Sequence, residues 1–294
     1  QELEKNLSFS ARFFDSYFQA KLDTEVNPYL WMLGSASYYL SALPGSSLLL
    51  AKHLEHRRFD IEGAGLENLL LWILLGEYDQ IQPGGNGFYE TFIQEIEHRY
   101  QQYYSNGTGD VELFQSIQEL RNVVYSTGTP RQLLFADIIG AITRKKYQNS
   151  TWFCLPLYSD LTVDQWREVL RKPSFSIKEL WPAQHLLGQH GVFRGKSAIV
   201  QMPTSAGKTK ATEIIIRSAF MSDRTSLAVI VAPFRALCHE IRESLIKGFR
   251  SESIFINELS DVLQPDYSVE RFLGRKQVLV VTPEKLNYVL RHTT

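Results

Sequence analysis

The sequence predicts an α + α/β protein, an all-helical N-terminal half followed by a parallel α/β unit. Three observations carry that expectation. Apolar residues recur at helical spacing from Leu3 to about Leu170, and after Ser197 short apolar runs of strand length alternate with helical patterns. Charge divides at nearly the same place. Residues 1–170 carry 13 basic against 21 acidic side chains, residues 171–294 carry 18 against 11, and the whole chain is at -1. The basic part is the better candidate for a polyanionic partner.

The 294-residue length suits two domains, and a hydrophobic share of 44% is enough to build a core. The expected division is 1–170, a helical accessory or interaction domain, and 171–294, the α/β unit. Eighteen glycines and 11 prolines are too few for a disordered or collagenous chain. Cys154 and Cys238 lie far apart without Cys-x-x-Cys spacing, which argues against a disulfide framework or a thiolate zinc site and for a reducing, cytoplasmic setting. The longest apolar run, Leu69 to Leu75, falls far short of the roughly 20 residues that cross a bilayer, so no membrane partner is expected. The chain opens Gln1-Glu2-Leu3-Glu4 without an initiator Met or an apolar leader, which reads as a fragment of a longer protein.

In the first half, Phe13, Phe14, Tyr17 and Phe18 form one helical stripe read as core, and Tyr29, Leu33, Ala36, Tyr39, Leu40 and Leu43 form another. Pro44-Gly45 breaks that helix, and Ser46-Ser47 is expected to cap the next. Further helices fit 66–76, 88–103, 111–125, 131–145 and 163–170. They are separated by turn clusters at 82–87, Asn106–Gly109 and Thr127–Pro130. Such helices joined by short polar turns suggest antiparallel hairpins, and no fixed-period repeat is present. His53, His56 and His98 form no ligand cluster with nearby acids, and no chemistry is assigned to this half.

Chemistry enters after Ser197. An apolar run at 198–202 is expected as a strand, the small-residue stretch Pro203-Thr204-Ser205-Ala206 follows, then Gly207-Lys208-Thr209, then a helical pattern through Ala211, Ile214, Ile215, Ile216, Ala219 and Phe220. Strand, small-residue loop, Gly-Lys-Thr and helix make a P-loop pattern. Small residues let successive N–H groups turn toward phosphate oxygens, and the helix N-terminus adds a positive field. Thr204, Ser205, Ala206, Gly207, Lys208 and Thr209 are therefore candidate nucleotide contacts, with Lys208 reaching the outer phosphates and Thr209 ligating Mg²⁺ through the nucleotide. One departure stands out: Met202 occupies the place where the general pattern asks for Gly. Further expected strands lie near 227–232, 254–256 and 278–281.

Pro203–Thr209 resembles motif I of superfamily 2 helicases of the DExH/DEAD-box type, in which a Pro-Thr entry makes Met202 less of a departure. Upstream, Leu180-Trp181-Pro182-Ala183-Gln184 resembles the Q-motif region, with Gln184 placed 24 positions before Lys208. Downstream, 227–237 resembles motif Ia and Gln277–Leu286, with its Thr282-Pro283-Glu284-Lys285-Leu286, resembles motif Ib. The resemblance covers about residues 172–294. It implies an incomplete RecA-like P-loop lobe that binds ATP and Mg²⁺, with Gln184 reading the adenine edge. It also implies that Arg235 and Thr282 contact the backbone of one nucleic-acid strand, DNA or RNA, single or partly duplex. Gln184 as a helix-surface amide, Arg235 as a solvated first-turn residue and Thr282 as a generic N-cap stay open beside those roles.

The family's Asp-Glu pair occurs nowhere in the sequence, and no catalytic residue is assigned. The expectation is an N-terminal fragment of an ATP-dependent helicase or translocase that does not itself turn ATP over, although its parent does. A P-loop switch without nucleic acid and a helical adaptor that recruits a protein partner through 1–170 are the alternatives. The aromatic helical extension also resembles that of large bacterial helicases of anti-phage defence systems, such as the Hachiman helicase subunit.

Overall fold

A computed structural model describes residues 2–19, 27–55, 61–79, 87–203, 207–258 and 275–292. The chain divides into two compact units, Gln1–Ser150 and Thr151–Thr294.

The first unit is helical: α1 (Glu2–Gln19), α2 (Pro28–Leu40), α3 (Pro44–Leu54), α4 (Leu66–Leu75), α5 (Glu90–Asn106), α6 (Asp110–Thr127) and α7 (Pro130–Asn149). Its organising element is α4, whose residues 69–74 are all buried and which packs on α2, α3, α5 and α7. A helix apolar on every side has to lie inside, because each fully buried Leu or Ile contributes about 1.5–3 kcal/mol. Local chemistry sets the ends of these helices. Gly107, at φ 71, closes α5, and Gly109, at φ 88, opens α6. Thr129 and Gln132 form a reciprocal capping box with Pro130 in the first turn of α7.

Two expectations for this unit are corrected. Ser46 and Ser47 do not cap α3, which starts at Pro44. Ser47 is buried inside it, with its hydroxyl 3.1 Å from that of Ser35. Proline at the first helical turn loses no hydrogen bond, so it can open a helix as well as end one. The aromatic stripe of α1 is also split. Phe14 is buried, whereas Phe13 is 55% exposed and stacks on Tyr17.

The second unit contains α8 (Thr151–Tyr158), α9 (Val163–Leu170), α10 (Pro182–Gln189), a 3₁₀ turn at Val192–Arg194, α11 (Lys208–Met221), β1 (Leu227–Val231), α12 (Arg235–Gly248), β2 (Phe255–Glu258), β3 (Gln277–Val281) and α13 (Pro283–His292). Helices α8 and α9, which precede the composition change, pack in this unit. The three strands form one parallel sheet in the order β1-β3-β2, with Val231 opposite Val281 and Phe255 opposite Gln277. Central β3 is buried throughout, as a strand of a parallel sheet should be. Ile216 and Phe220 of α11 and Cys238, Leu245 and Phe249 of α12 and its end join Val278 and Val280 in one apolar core. On β1, Ala228 and Ile230 pack against that core, while Val229 and Val231 are 42% and 47% exposed.

The strand expected at 198–202 is not formed. Ile199 is fully exposed and the run makes no ladder among the described residues. An apolar run becomes a strand only when a second strand accepts its backbone bonds, and none of the three strands does so. The third expected strand is shifted slightly, from 254–256 to Phe255–Glu258.

Candidate functional site

Helix α10 is fixed before it carries any function. Its Gly188 lies against the Tyr158 ring of α8, so close that a Cβ there would collide with the ring. The Tyr158 hydroxyl is 3.1 Å from His185 Nδ1. Burial, above all, holds His185 below its ordinary pKa. At the start of the helix, Gln184 N donates to Trp181 O at 2.8 Å and Trp181 N donates back to Gln184 Oε1 at 2.8 Å. That reciprocal pair is the capping-box arrangement, with a backbone carbonyl in place of the usual hydroxyl.

The remaining polar end of Gln184 points at the glycine turn. Its Nε2 donates to Gly207 O at 3.3 Å, and Ala211 N donates to the same oxygen at 3.0 Å. Gly207 has φ +80 and serves as N-cap of α11, and a Cβ at this position would come within 2.8 Å of Gln184 Nε2. Both the left-handed backbone and the close approach call for glycine. Lys208 and Thr209 are exposed at the head of α11, where helical N–H groups lack internal acceptors and favour anions. Thr204, Ser205 and Ala206 lie outside the described residues.

Arg235 and Thr282 follow the carboxyl ends of neighbouring parallel strands, β1 and β3, joined beyond the ladder by Ala232 N to Val281 O at 2.9 Å. Ligands of open parallel sheets gather at this edge. Arg235 is exposed as the first residue of α12, beside Phe234, which is 70% exposed. Thr282 is buried and precedes Pro283 at the start of α13. Hydrogen bonds from its own N–H and from the Thr282 hydroxyl hold the exposed Glu284 carboxyl below its usual range.

The structure therefore brings Gln184 into contact with Gly207, beside Lys208 and Thr209. It brings Arg235 and Thr282 to one edge of the sheet. Among the described residues no group of His, Cys, Asp or Glu is placed to hold a metal ion on its own. Both thiols are buried, and burial, then the charge of Glu179, pushes Cys154 up to about 12, which leaves it inert as a nucleophile. No described helix is long and apolar enough to cross a membrane.

Sequence reasoning overlooked Lys210, Glu213 and Arg217, which run along α11 behind the turn; Glu213 and Arg217 are buried. Their i, i+3, i+7 spacing on a helix was the available signal.

Residues 182–294 match the family model described as DEAD/DEAH box helicase. This stretch is helicase-related. The ATP-dependent DNA helicase Hel308 of Thermococcus kodakarensis is 32% identical over 121 residues, 40% of this chain and 10% of that protein. The same-named helicase of Pyrococcus abyssi is 31% identical over 128 residues, 43% of this chain and 17% of that protein. The Hachiman protein HamB of Bacillus cereus is 28% identical over 115 residues, 39% of this chain and 10% of that protein. The matched part thus spans between a tenth and a sixth of these relatives.

Proposed function

We propose that this chain supplies the nucleotide-binding part of an ATP-dependent nucleic-acid helicase or translocase that works in the cytoplasm. The observation that carries the reading is Gly207, held in a left-handed conformation against Gln184 at the head of α11, inside the helicase-related stretch. The glycine turn and the exposed Lys208 and Thr209 fit a phosphate chain and its Mg²⁺. In this reading the N–H groups from Thr204 to Thr209 take the phosphate oxygens, Lys208 adds a mobile positive charge and the Thr209 hydroxyl faces the cation. Mg²⁺ bound with ATP, held on the protein side by Thr209, would supply neutralisation of the phosphate charge.

Gln184 reads the adenine edge with what its two backbone partners leave: the second N–H of Nε2 and the remaining lone pair of Oε1. Arg235 and the N–H groups that open α12 and α13 hold the sugar-phosphate backbone of one strand. Thr282 contributes through its backbone, since its hydroxyl is engaged with Glu284. Contacts of this type carry little sequence information, which suits movement along any sequence. The chain contains no Asp-Glu pair, so this reading gives it nucleotide and strand binding and leaves turnover to further residues of the parent.

Lys208→Ala in the intact protein tests the reading. Loss of a charge-assisted contact worth about 1.5–3 kcal/mol should weaken ATP binding by about 10- to 100-fold. Unchanged ATP affinity would sink the phosphate site. ATP turnover unaffected by single-stranded DNA or RNA would favour a nucleotide switch over a motor.

A further inference from the structure

Four side chains of alternating charge link α11 to the end of α12. Lys210 Nζ lies 2.9 Å from Glu213 Oε1, and Arg217 Nη1 donates to Glu213 Oε2 at 3.2 Å. Arg217 Nε and Nη2 both donate to Glu252 Oε1, at 3.0 and 2.8 Å, and Nη2 also reaches Gly248 O at 2.7 Å. The guanidinium carbon is 4.2 Å from the centroid of the Phe249 ring and 5.1 Å from that of Phe175. The side chains of Glu213 and Arg217 are wholly buried.

Buried ions are a poor route to stability, because apolar side chains of the same volume often serve as well or better. What they add is direction. Ile216, Phe220, Leu245 and Phe249 hold α11 and α12 together, but apolar burial is non-directional and tolerates small rotations or slides of a helix. The flat guanidinium fork does not, since its N–H groups must line up at once with oxygens of Glu213, Glu252 and Gly248. Gly248 completes the fit: a Cβ there would stand 2.8 Å from the Glu213 carboxyl carbon, so the carboxylate rests on bare backbone. Lys208 and Thr209 open this same helix, and Lys210 belongs to its first turn.

We propose that Glu213, Arg217 and Glu252, seated on Gly248, are positioning residues. They fix the rotation and axial setting of α11, and thereby aim the Gly207–Thr209 turn at the phosphates. None of them touches the nucleotide, and the inference rests on the nucleotide reading given above.

The test uses the intact protein and reads three quantities: affinity for a fluorescent ATP analogue, affinity for single-stranded DNA without nucleotide, and the unfolding temperature. The charge-free variant Glu213→Gln/Arg217→Met/Glu252→Gln and the single variant Gly248→Ala should each lower nucleotide affinity about tenfold, the scale expected of a sub-ångström misplacement. Strand affinity should stay within about twofold of wild type. Arg217→Lys, which keeps the charge and loses the fork, should fall between wild type and the charge-free variant. A folded variant with nucleotide affinity within about threefold of wild type would show that the set only stabilises, and would overturn the proposal. So would a parallel loss of strand binding, which marks global damage. If the charge-free variant does not fold, Gly248→Ala decides by the same criteria with every charge in place. A wild-type protein that binds no nucleotide overturns the nucleotide reading itself, an outcome distinct from a variant that binds as well as wild type.

Discussion

The two units solve the burial of polar groups in different ways. In the first, buried hydroxyls meet one another across packed elements: Tyr100 donates to Thr143 and Tyr103 meets Ser150, both at 2.7 Å. Lys146 is buried with its ammonium 4.7 Å from the Tyr39 ring centroid. The bulk of that unit is apolar, gathered round α4. In the second, the apolar core between α11, α12 and the sheet is supplemented by full charges strung from Lys210 to Glu252. The first unit is held mainly by shape and the second partly by direction. The side chains proposed to contact nucleotide, Lys208 and Thr209, lie on the helix held by the directional kind.

The contrast can be tested most strongly by damaging each unit at its centre. Phe135→Ala in the first, where Phe135 is fully buried and meets Tyr29 edge to face, should cost about 3–5 kcal/mol in denaturant unfolding. Glu213→Ala in the second should cost about 1.5–3 kcal/mol, because it removes one of the two carboxylates that meet the buried Arg217 and leaves it Glu252 and Gly248 O. Added salt should rescue little of that, since buried pairs are weakly screened. A cost below about 1 kcal/mol for Glu213→Ala would remove the distinction between the units.

A smaller effect concerns Glu97, buried on α5, whose carboxyl is pushed up to about 7 from 4.5 by burial first and then by Glu90. The folded state keeps a proton that the unfolded chain has already released. Stability from this group is therefore full below about pH 4.5 and is lost as the pH rises to about 7. The total is at most about 3 kcal/mol. Glu97→Gln should match wild type at pH 4.5 and exceed it at pH 8; equal stability at both pH values would contradict the burial of that charge. Smallest is Thr129→Ala, which removes half of the capping box of α7 and should cost about 1 kcal/mol. Thermal unfolding monitored by circular dichroism would show it.

Much of this architecture was legible because its signals are local. Val163–Leu170 was readable to the residue, with Thr162 and Gln165 closing a capping box at its start. The strands expected at 227–232 and 278–281 were visible as continuous apolar runs, and they form at Leu227–Val231 and Gln277–Val281. Helix α8 was missed because Pro156 lies inside it, and proline ordinarily argues against a helix. The run at 198–202 has the composition of a strand, but pairing is decided by what lies alongside, and composition is silent about neighbours. The same holds for Arg217, whose partner Glu252 is 35 residues away. Within the site, Gln184 and Gly207 were placed together on motif spacing. The contact that joins them, and the use of Gln184 to begin α10, follow from backbone geometry that spacing does not contain.

That use has a consequence for the chemistry at position 184. One end of the side chain meets a donor, Trp181 N, and the other an acceptor, Gly207 O. A glutamate has the same outline, yet it would set oxygen against oxygen at the turn. The fold thus tells apart two side chains of equal size by a single –NH₂, and so keeps an oriented amide beside the glycine turn before any ligand arrives.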